Sequence, residues 1–202
     1  AQFDAAWDIG AREADDAIAQ GYRLLLAGEM GIGNTTPAAC LTALLAGTDA
    51  ATATGKGAGA DDIMRAHKEK IVSEAVAREC LLFGSDPKAS IAALCGFEIA
   101  AMAGFFAAAA KQGATILLDG YVTTAAALVA ERLAPGTVAQ MIAAHLSAEP
   151  GHRTALHALG LEPMLEWQMR LGEGTGALTA LPLLDAAAAL LTDVATLAEV
   201  MG

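Results

Sequence analysis

Aromatic side chains make up only 4% of this chain: two Trp, two Tyr and five Phe. A core without large rings must be built from small and aliphatic side chains, and the abundance of alanine points to closely packed helices. Basic residues are scarce as well, with 12 Lys and Arg against 23 Asp and Glu, a formal charge of −11 and a pI near 4.6. Nucleic-acid binding needs clustered cations against phosphates, so that class of partner is disfavoured, and any phosphate ligand is expected to be small and locally held. The three cysteines, Cys40, Cys80 and Cys95, lie far apart with neither CxxC nor His-containing ligand spacing. Neither a disulfide framework nor a zinc site follows, and a reducing cytoplasm fits. Long uninterrupted apolar runs are missing too. The richest, Ile91 to Ala110, contains Glu98 and glycines and reads as a buried helix, so no membrane partner is expected. No basic segment followed by a signal-like apolar run opens the chain, and a first residue of Ala is expected of a truncated or processed start.

What is present reads as one globular domain over residues 1–202, with 55% hydrophobic and 17% charged residues. Gly21 to Gly28 encloses a short apolar run, and Thr35-Thr36-Pro37 offers capping hydroxyls and a first-turn proline before an alanine-rich helix. The same strand, small-residue loop and helix recur from Ala114 through Gly120 into a helix over 125–133. Between them, Gly55-Lys56-Gly57-Ala58-Gly59 reads as a flexible loop, and Asp61-Asp62 opens a polar helix to about Phe83 that carries Lys68 and Lys70. A third strand is expected over Val138–Leu146, a helix over Gly151–Leu159, and a long helix from about Thr179 to Val200. The alternation defines an α/β class: a three-layer, mostly parallel, doubly wound (Rossmann-like) sheet flanked by alanine-rich helices. Ligands of such sheets sit beyond the carboxyl ends of the strands, where Glu29, Asp119 and Ser147 fall.

Two glycine-flanked acids stand out: Glu29 in Gly28-Glu29-Met30-Gly31-Ile32-Gly33-Asn34-Thr35-Thr36, and Glu173 in Arg170-Leu171-Gly172-Glu173-Gly174-Thr175-Gly176. Each precedes a small-residue turn into a helix, which places backbone N–H groups beside a carboxylate and suits anion binding next to a proton acceptor. The first loop lacks both the Walker Gly-Lys-Ser/Thr and the Gly-x-Gly-x-x-Gly spacing, so ATP and NAD are disfavoured and no cofactor is expected. It is equally readable as a tight connection whose hydroxyls cap a helix. Glu173 lies between glycines whose missing side chains let a planar ligand approach, though a loop-exposed acid is the plain alternative. Lys68 is either a phosphate counter-charge or a solvated lysine beside Glu69. Asp119 either accepts ribose hydroxyls or begins an Asp-Gly turn. His145, His152 and His157, seven and five residues apart, lack the i,i+4 face of helical zinc motifs and read as structural, so no metal is expected. Without a Gly-x-Ser-x-Gly elbow or a Cys-His pair, Ser147 reads as a hydroxyl donor rather than a nucleophile.

Taken with Gly96-Phe97-Glu98-Ile99-Ala100-Ala101-Met102, Leu118-Asp119-Gly120 and His145-Leu146-Ser147-Ala148-Glu149-Pro150-Gly151-His152, these motifs resemble the nicotinate-nucleotide:dimethylbenzimidazole phosphoribosyltransferase family of cobamide lower-ligand biosynthesis. Their order and spacing cover nearly the whole chain. The resemblance implies that Glu173 is the general base toward the benzimidazole and that Glu29 assists it. It further implies that Gly31, Gly33, Asn34, Thr35, Lys68, Ser147 and backbone donors at Gly174, Thr175 and Gly176 hold the nucleotide phosphate and ribose, with Asp119 helping to position them. A homodimer and small-molecule substrates, nicotinate mononucleotide and a benzimidazole-type base, are implied as well. Phosphoribosyl diphosphate enzymes typically carry paired acids after a strand, whereas Leu117-Leu118-Asp119-Gly120 supplies one.

The sequence departs from the family in two respects. The long N-terminal region that gives family members a smaller domain and much of the benzimidazole pocket lies outside these residues. Cys95 and Lys56-Gly57-Ala58-Gly59 also stand where a glycine and a threonine-containing glycine loop are expected. Two functions follow: phosphoribosyl transfer yielding α-ribazole 5′-phosphate and nicotinate, or a nucleotide-binding or assembly module that turns over only with a further segment or partner.

Overall fold

The computed structural model describes residues 1–57, 59 and 61–201. The elements run α1 (Gln2–Ala19), β1 (Leu24–Leu26), α2 (Thr35–Ala46), α3 (Ala50–Ala53), α4 (Asp62–Phe83), α5 (Pro87–Leu94), α6 (Phe97–Lys111), β2 (Thr115–Leu118) and α7 (Tyr121–Leu133). A 3-10 turn over Thr137–Gln140 then leads to β3 (Met141–Ala143), β4 (His145–Ser147), α8 (Pro150–Ala158), β5 (Leu165–Met169), α9 (Thr175–Asp193) and α10 (Leu197–Met201). Every strand pairing is parallel. Leu25 sits opposite Ile116 and Leu117 opposite Ile142, giving the order β1-β2-β3. After Ala144 the same segment continues as β4 and pairs with β5, His145 opposite Leu165 and Ser147 opposite Met169.

Side-chain alternation along β2 builds the layers. Ile116 and Leu118 enter the main core with Leu41, Ile91, Ile99 and Phe106, contributed by α2, α5 and α6. Leu117 points the other way, into a smaller core with Leu165, Ala177 and Ala180 from β5 and α9. A strand buried on both faces needs helices on both sides, and the structure is accordingly an α/β fold with helical layers flanking a parallel sheet. Each of the fully buried large apolar side chains contributes about 1.5–3 kcal/mol by leaving water. Small residues bring the helices together: a Cβ at Gly10 of α1 would run into the Ala101 carbonyl of α6, and one at Gly104 of α6 would run into that of Trp7.

Side-chain caps start several helices. Asp61 accepts from the Met64 N–H at 2.8 Å to open α4, and Asp86 accepts from that of Ala89 at 2.9 Å, with Pro87 beginning α5. The expected loop over 55–59 connects α3 to α4, and its Ala58 lies outside the described residues.

Several boundaries differ from the sequence reading. The apolar run 91–110 is two helices, because Cys95 and Gly96 adopt extended backbone and separate α5 from α6. The third strand begins at Met141, the four residues before it being coiled into the 3-10 turn. The final long helix starts at Thr175 and stops at Asp193. The strand Leu165–Met169 and the first helix were not anticipated. Nor do the Thr35 and Thr36 hydroxyls cap α2: its cap residue is Asn34, whose amide turns instead to Glu29.

Candidate active site

The carboxyl ends of β1, β2 and β4 open on a cleft of about 270 Å³. Of the expected site residues, Glu29, Gly31, Gly33, Asn34, Thr35, Asp119 and Ser147 line it. Lys68, Glu173, Gly174, Thr175 and Gly176 are not among the residues lining it.

After β1 the chain turns through Glu29, which is half-buried, and its carboxylate accepts from the Asn34 amide. Burial raises the Glu29 pKa above the ordinary carboxylate value, the Gly31 N–H opposes that shift, and the charge of Glu98 reinforces it. The Lys68 ammonium of α4 donates to the Thr35 hydroxyl at 2.7 Å and to the Gly55 carbonyl at 3.3 Å. Its pKa is lowered by desolvation, while the Glu149 carboxylate pulls it back up. A partly desolvated cation beside the first turn of α2 is suited to a small anion. A Cβ at Gly57 would lie 2.9 Å from the Thr35 hydroxyl and 3.8 Å from Lys68 Nζ, so the glycine leaves room beside this pair.

Asp119 follows β2 directly and is 2% exposed. Its two oxygens accept from the N–H groups of Gly174 at 3.1 Å and Ala177 at 3.0 Å. The N–H of Thr175 goes to the Gly172 carbonyl at 3.0 Å, and its hydroxyl to the same carbonyl at 2.6 Å. The backbone donors of Gly174 and Thr175, expected on a phosphate, are therefore engaged within their own turn and on Asp119. Glu173 has φ 61°, a left-handed conformation uncommon outside glycine. It donates its N–H to the Glu29 carbonyl at 3.2 Å, and a Cβ at Gly28 would strike the Glu173–Gly174 peptide. The two acid-bearing loops are thus joined backbone to backbone, with the Glu173 side chain exposed at their junction.

Ser147 closes the third wall through a buried histidine. His152 Nδ1 accepts from the Ser147 N–H at 2.9 Å and lies 2.9 Å from its hydroxyl, while Nε2 lies 2.9 Å from the Thr124 hydroxyl. Accepting at Nδ1 makes Nε2 the protonated nitrogen of a neutral ring. Burial, helped by neighbouring His145, pushes the His152 pKa down to about 3. His145 is likewise lowered, by desolvation against the opposing Asp119 charge. His145 Nε2 is 3.7 Å from Asp119 Oδ1. Among the described residues no group of three or more His, Cys, Asp or Glu is arranged to hold a metal ion.

The cleft also holds residues not assigned from sequence: Tyr121, His145, Glu149 and Arg170. Glu149 keeps one buried carboxylate oxygen without a hydrogen-bond partner. Its position as the cap residue immediately before Pro150 at a strand-to-helix junction was the available signal. The Tyr121 hydroxyl instead serves structure, donating to the Ala53 carbonyl at 2.8 Å, and burial raises its pKa.

A parallel sheet whose strand ends carry acids, a sequestered lysine and small-residue loops has the chemistry suited to a small anionic ligand. The chain belongs to the phosphoribosyltransferase family whose model, DBI_PRT, matches residues 1–201. It is 50% identical over 198 residues to the nicotinate-nucleotide–dimethylbenzimidazole phosphoribosyltransferase of Mycobacterium ulcerans, covering 98% of this chain and 55% of that protein. The enzyme of the same name from Pseudomonas putida is 46% identical over 198 residues, 98% of this chain and 56% of its own length. The crystal structure of CobT from Thermus thermophilus superposes with a TM-score of 0.92 at 44% identity, over 98% of this chain and 59% of that one. The chain thus spans about half the length of the curated relatives it matches.

Proposed function

We propose that residues 1–202 form one α/β domain that transfers the phosphoribosyl group of nicotinate mononucleotide to 5,6-dimethylbenzimidazole or a similar base. The products are α-ribazole 5′-phosphate and nicotinate. The observation that carries the reading is the hydrogen-bonded junction of the Glu29 and Glu173 loops at a cleft with Lys68 nearby.

A lone pair of the acceptor base attacks the anomeric carbon, and the bond to the nicotinate nitrogen breaks. Nicotinate leaves with the bonding pair, which neutralises its pyridinium charge, so the leaving group needs no proton. The N–H proton of the base passes to the Glu173 carboxylate, and Glu29, once ionised, offsets positive charge developing on the ribosyl ring. Lys68 and the loop from Gly31 to Thr35 hold the phosphate, and Ser147 donates to the nucleotide. The enzyme acts in the cytoplasm on small molecules and without a cofactor. It pairs as a homodimer, for which exposed Leu183, Leu190 and Leu191 of α9 offer an apolar face. That helix, at mean hydropathy 1.4, is long and apolar enough to cross a membrane. Its attachment to Asp119 at one end favours a protein-facing role.

Incubating the chain with both substrates and following nicotinate release tests the reading. Glu173→Gln, which keeps the shape and removes the base, is expected to lower turnover by about 10²–10⁴-fold. Equal turnover sinks the base assignment. A second reading, a nucleotide-binding or assembly module, draws on the matched half-length and the exposed α9 face. Calorimetric binding of nicotinate mononucleotide without turnover would favour it.

A further inference from the structure

We propose that Asp119 is a positioning residue for Glu173: it clamps the turn at the start of α9 and so fixes where the Glu173 carboxylate points. The inference rests on the assignment of Glu173 as the base. Gly172, Glu173 and Gly174 have φ values of 80°, 61° and 80°, three successive left-handed residues. A non-glycine residue stays in that region only when its surroundings impose it. The imposing contacts converge from three directions.

From inside, the Asp119 carboxylate spans the turn, one oxygen on the Gly174 N–H and the other on that of Ala177. These are orphan donors of a helix N-terminus, where a buried carboxylate is doubly favoured, by charge-assisted hydrogen bonds and by the helix dipole. From the side, the Glu29 carbonyl takes the Glu173 N–H, and Gly28 leaves no Cβ in the way. From beneath, the His145 ring lies where a Cβ of Gly176 would be, which seats the first turn of the helix. Asp119 thus reaches the residue next to Glu173 across 55 residues of sequence, a different task from holding a ribose.

The test compares the unaltered chain with Asp119→Ala, Asp119→Asn and Gly176→Ala in two measurements. The first is amide hydrogen exchange over 172–178 without substrate. Exchange at Gly174 and Ala177 is expected to rise at least about tenfold in Asp119→Ala. Asp119→Asn retains one accepting oxygen and should be intermediate. The second is kcat and KM for nicotinate mononucleotide. A displaced base should cost about 100-fold in kcat while KM stays within about threefold. Gly176→Ala, which leaves Asp119 in place and pushes on His145, should lower kcat in the same way. Should Asp119→Ala not fold, the near-isosteric Asp119→Asn carries the comparison. Unchanged exchange, or a loss confined to KM as a ribose contact would give, overturns the proposal. If the unaltered chain shows no turnover, the transferase reading fails, and the exchange data still decide whether Asp119 holds the turn.

Discussion

The two acid-bearing loops meet at one junction yet are held by opposite means. Glu29 is fixed through its side chain: it is half-buried, its carboxylate takes the Asn34 amide, and its pKa is raised by burial. Glu173 is fixed through its backbone: its carboxylate is exposed, while the peptide groups around it are bound by Asp119 and Glu29. The contrast separates two requirements of acid-base chemistry. A carboxylate whose protonation must be tuned benefits from burial and a donor. One that must meet an incoming base needs an open face on a rigid support.

The largest expected disruption strikes the backbone junction. Gly28→Ala introduces a Cβ against the Glu173–Gly174 peptide, which as backbone cannot swing aside. Overpacking of this kind costs about 1–3 kcal/mol of stability. Displacing Glu173 by even an ångström lowers turnover by about 100-fold. Urea titration and steady-state kinetics together check both, and a variant with unaltered turnover would show that the junction does not position the base.

A smaller and different effect is expected from Asn34→Ala. The backbone is untouched, so Glu173 should stay in place. Glu29 loses a donor to its charged form, and its pKa, already raised by desolvation, moves higher. In the proposed mechanism Glu29 acts ionised, so the rising limb of the kcat–pH profile should shift to higher pH. At alkaline pH the loss should be about tenfold, the lower end of what a single charge-assisted hydrogen bond of about 1.5–3 kcal/mol is worth. A profile that keeps its position would mean that Asn34 does not hold Glu29.

How much of this was legible in the sequence follows the same divide between local and distant causes. The strands before Glu29 and Asp119 are glycine-bounded apolar runs, and α4 is announced by Asp61, so each is set by its own neighbours. The break between α5 and α6 falls at Cys95 and Gly96 inside an apolar run, with no proline or polar cluster to mark it. Strand β5, Leu-Glu-Trp-Gln-Met, has three consecutive exposed residues and a left-handed Gln168, so it carries no alternating signal. Both acids stand out between glycines in the sequence, whereas Lys68, on a polar helix beside Glu69, reads equally as a solvated lysine. The partner of Gly174 and Ala177 was not, because Asp119 reaches them from 55 and 58 residues away and no local pattern encodes that distance. Likewise, the family resemblance implies that Asn34 and Thr35 hold the nucleotide, while their side chains meet Glu29 and Lys68.

The third wall supplies the contrast for both loops, since His152 touches neither acid. Its imidazole is fully buried and neutral, bonded to Ser147 and Thr124. In the unfolded chain it titrates near the ordinary 6.5, and in the folded protein at about 3. Between those values the unfolded state binds a proton that the folded state refuses, so stability falls as pH falls, by at most about 1.4 kcal/mol per pH unit from this group. His145, lowered in the same direction, adds to the slope. His152→Gln should therefore be less stable near neutrality and flatter in its urea midpoint between about pH 6.5 and pH 4. Turnover at neutral pH should fall less than about tenfold, because His152 meets Ser147, Thr124 and the neighbouring His145 and touches neither Glu29 nor Glu173. Equal slopes in the two proteins would mean that His152 keeps its proton in the folded state, where a protonated Nδ1 has no lone pair to accept the Ser147 N–H.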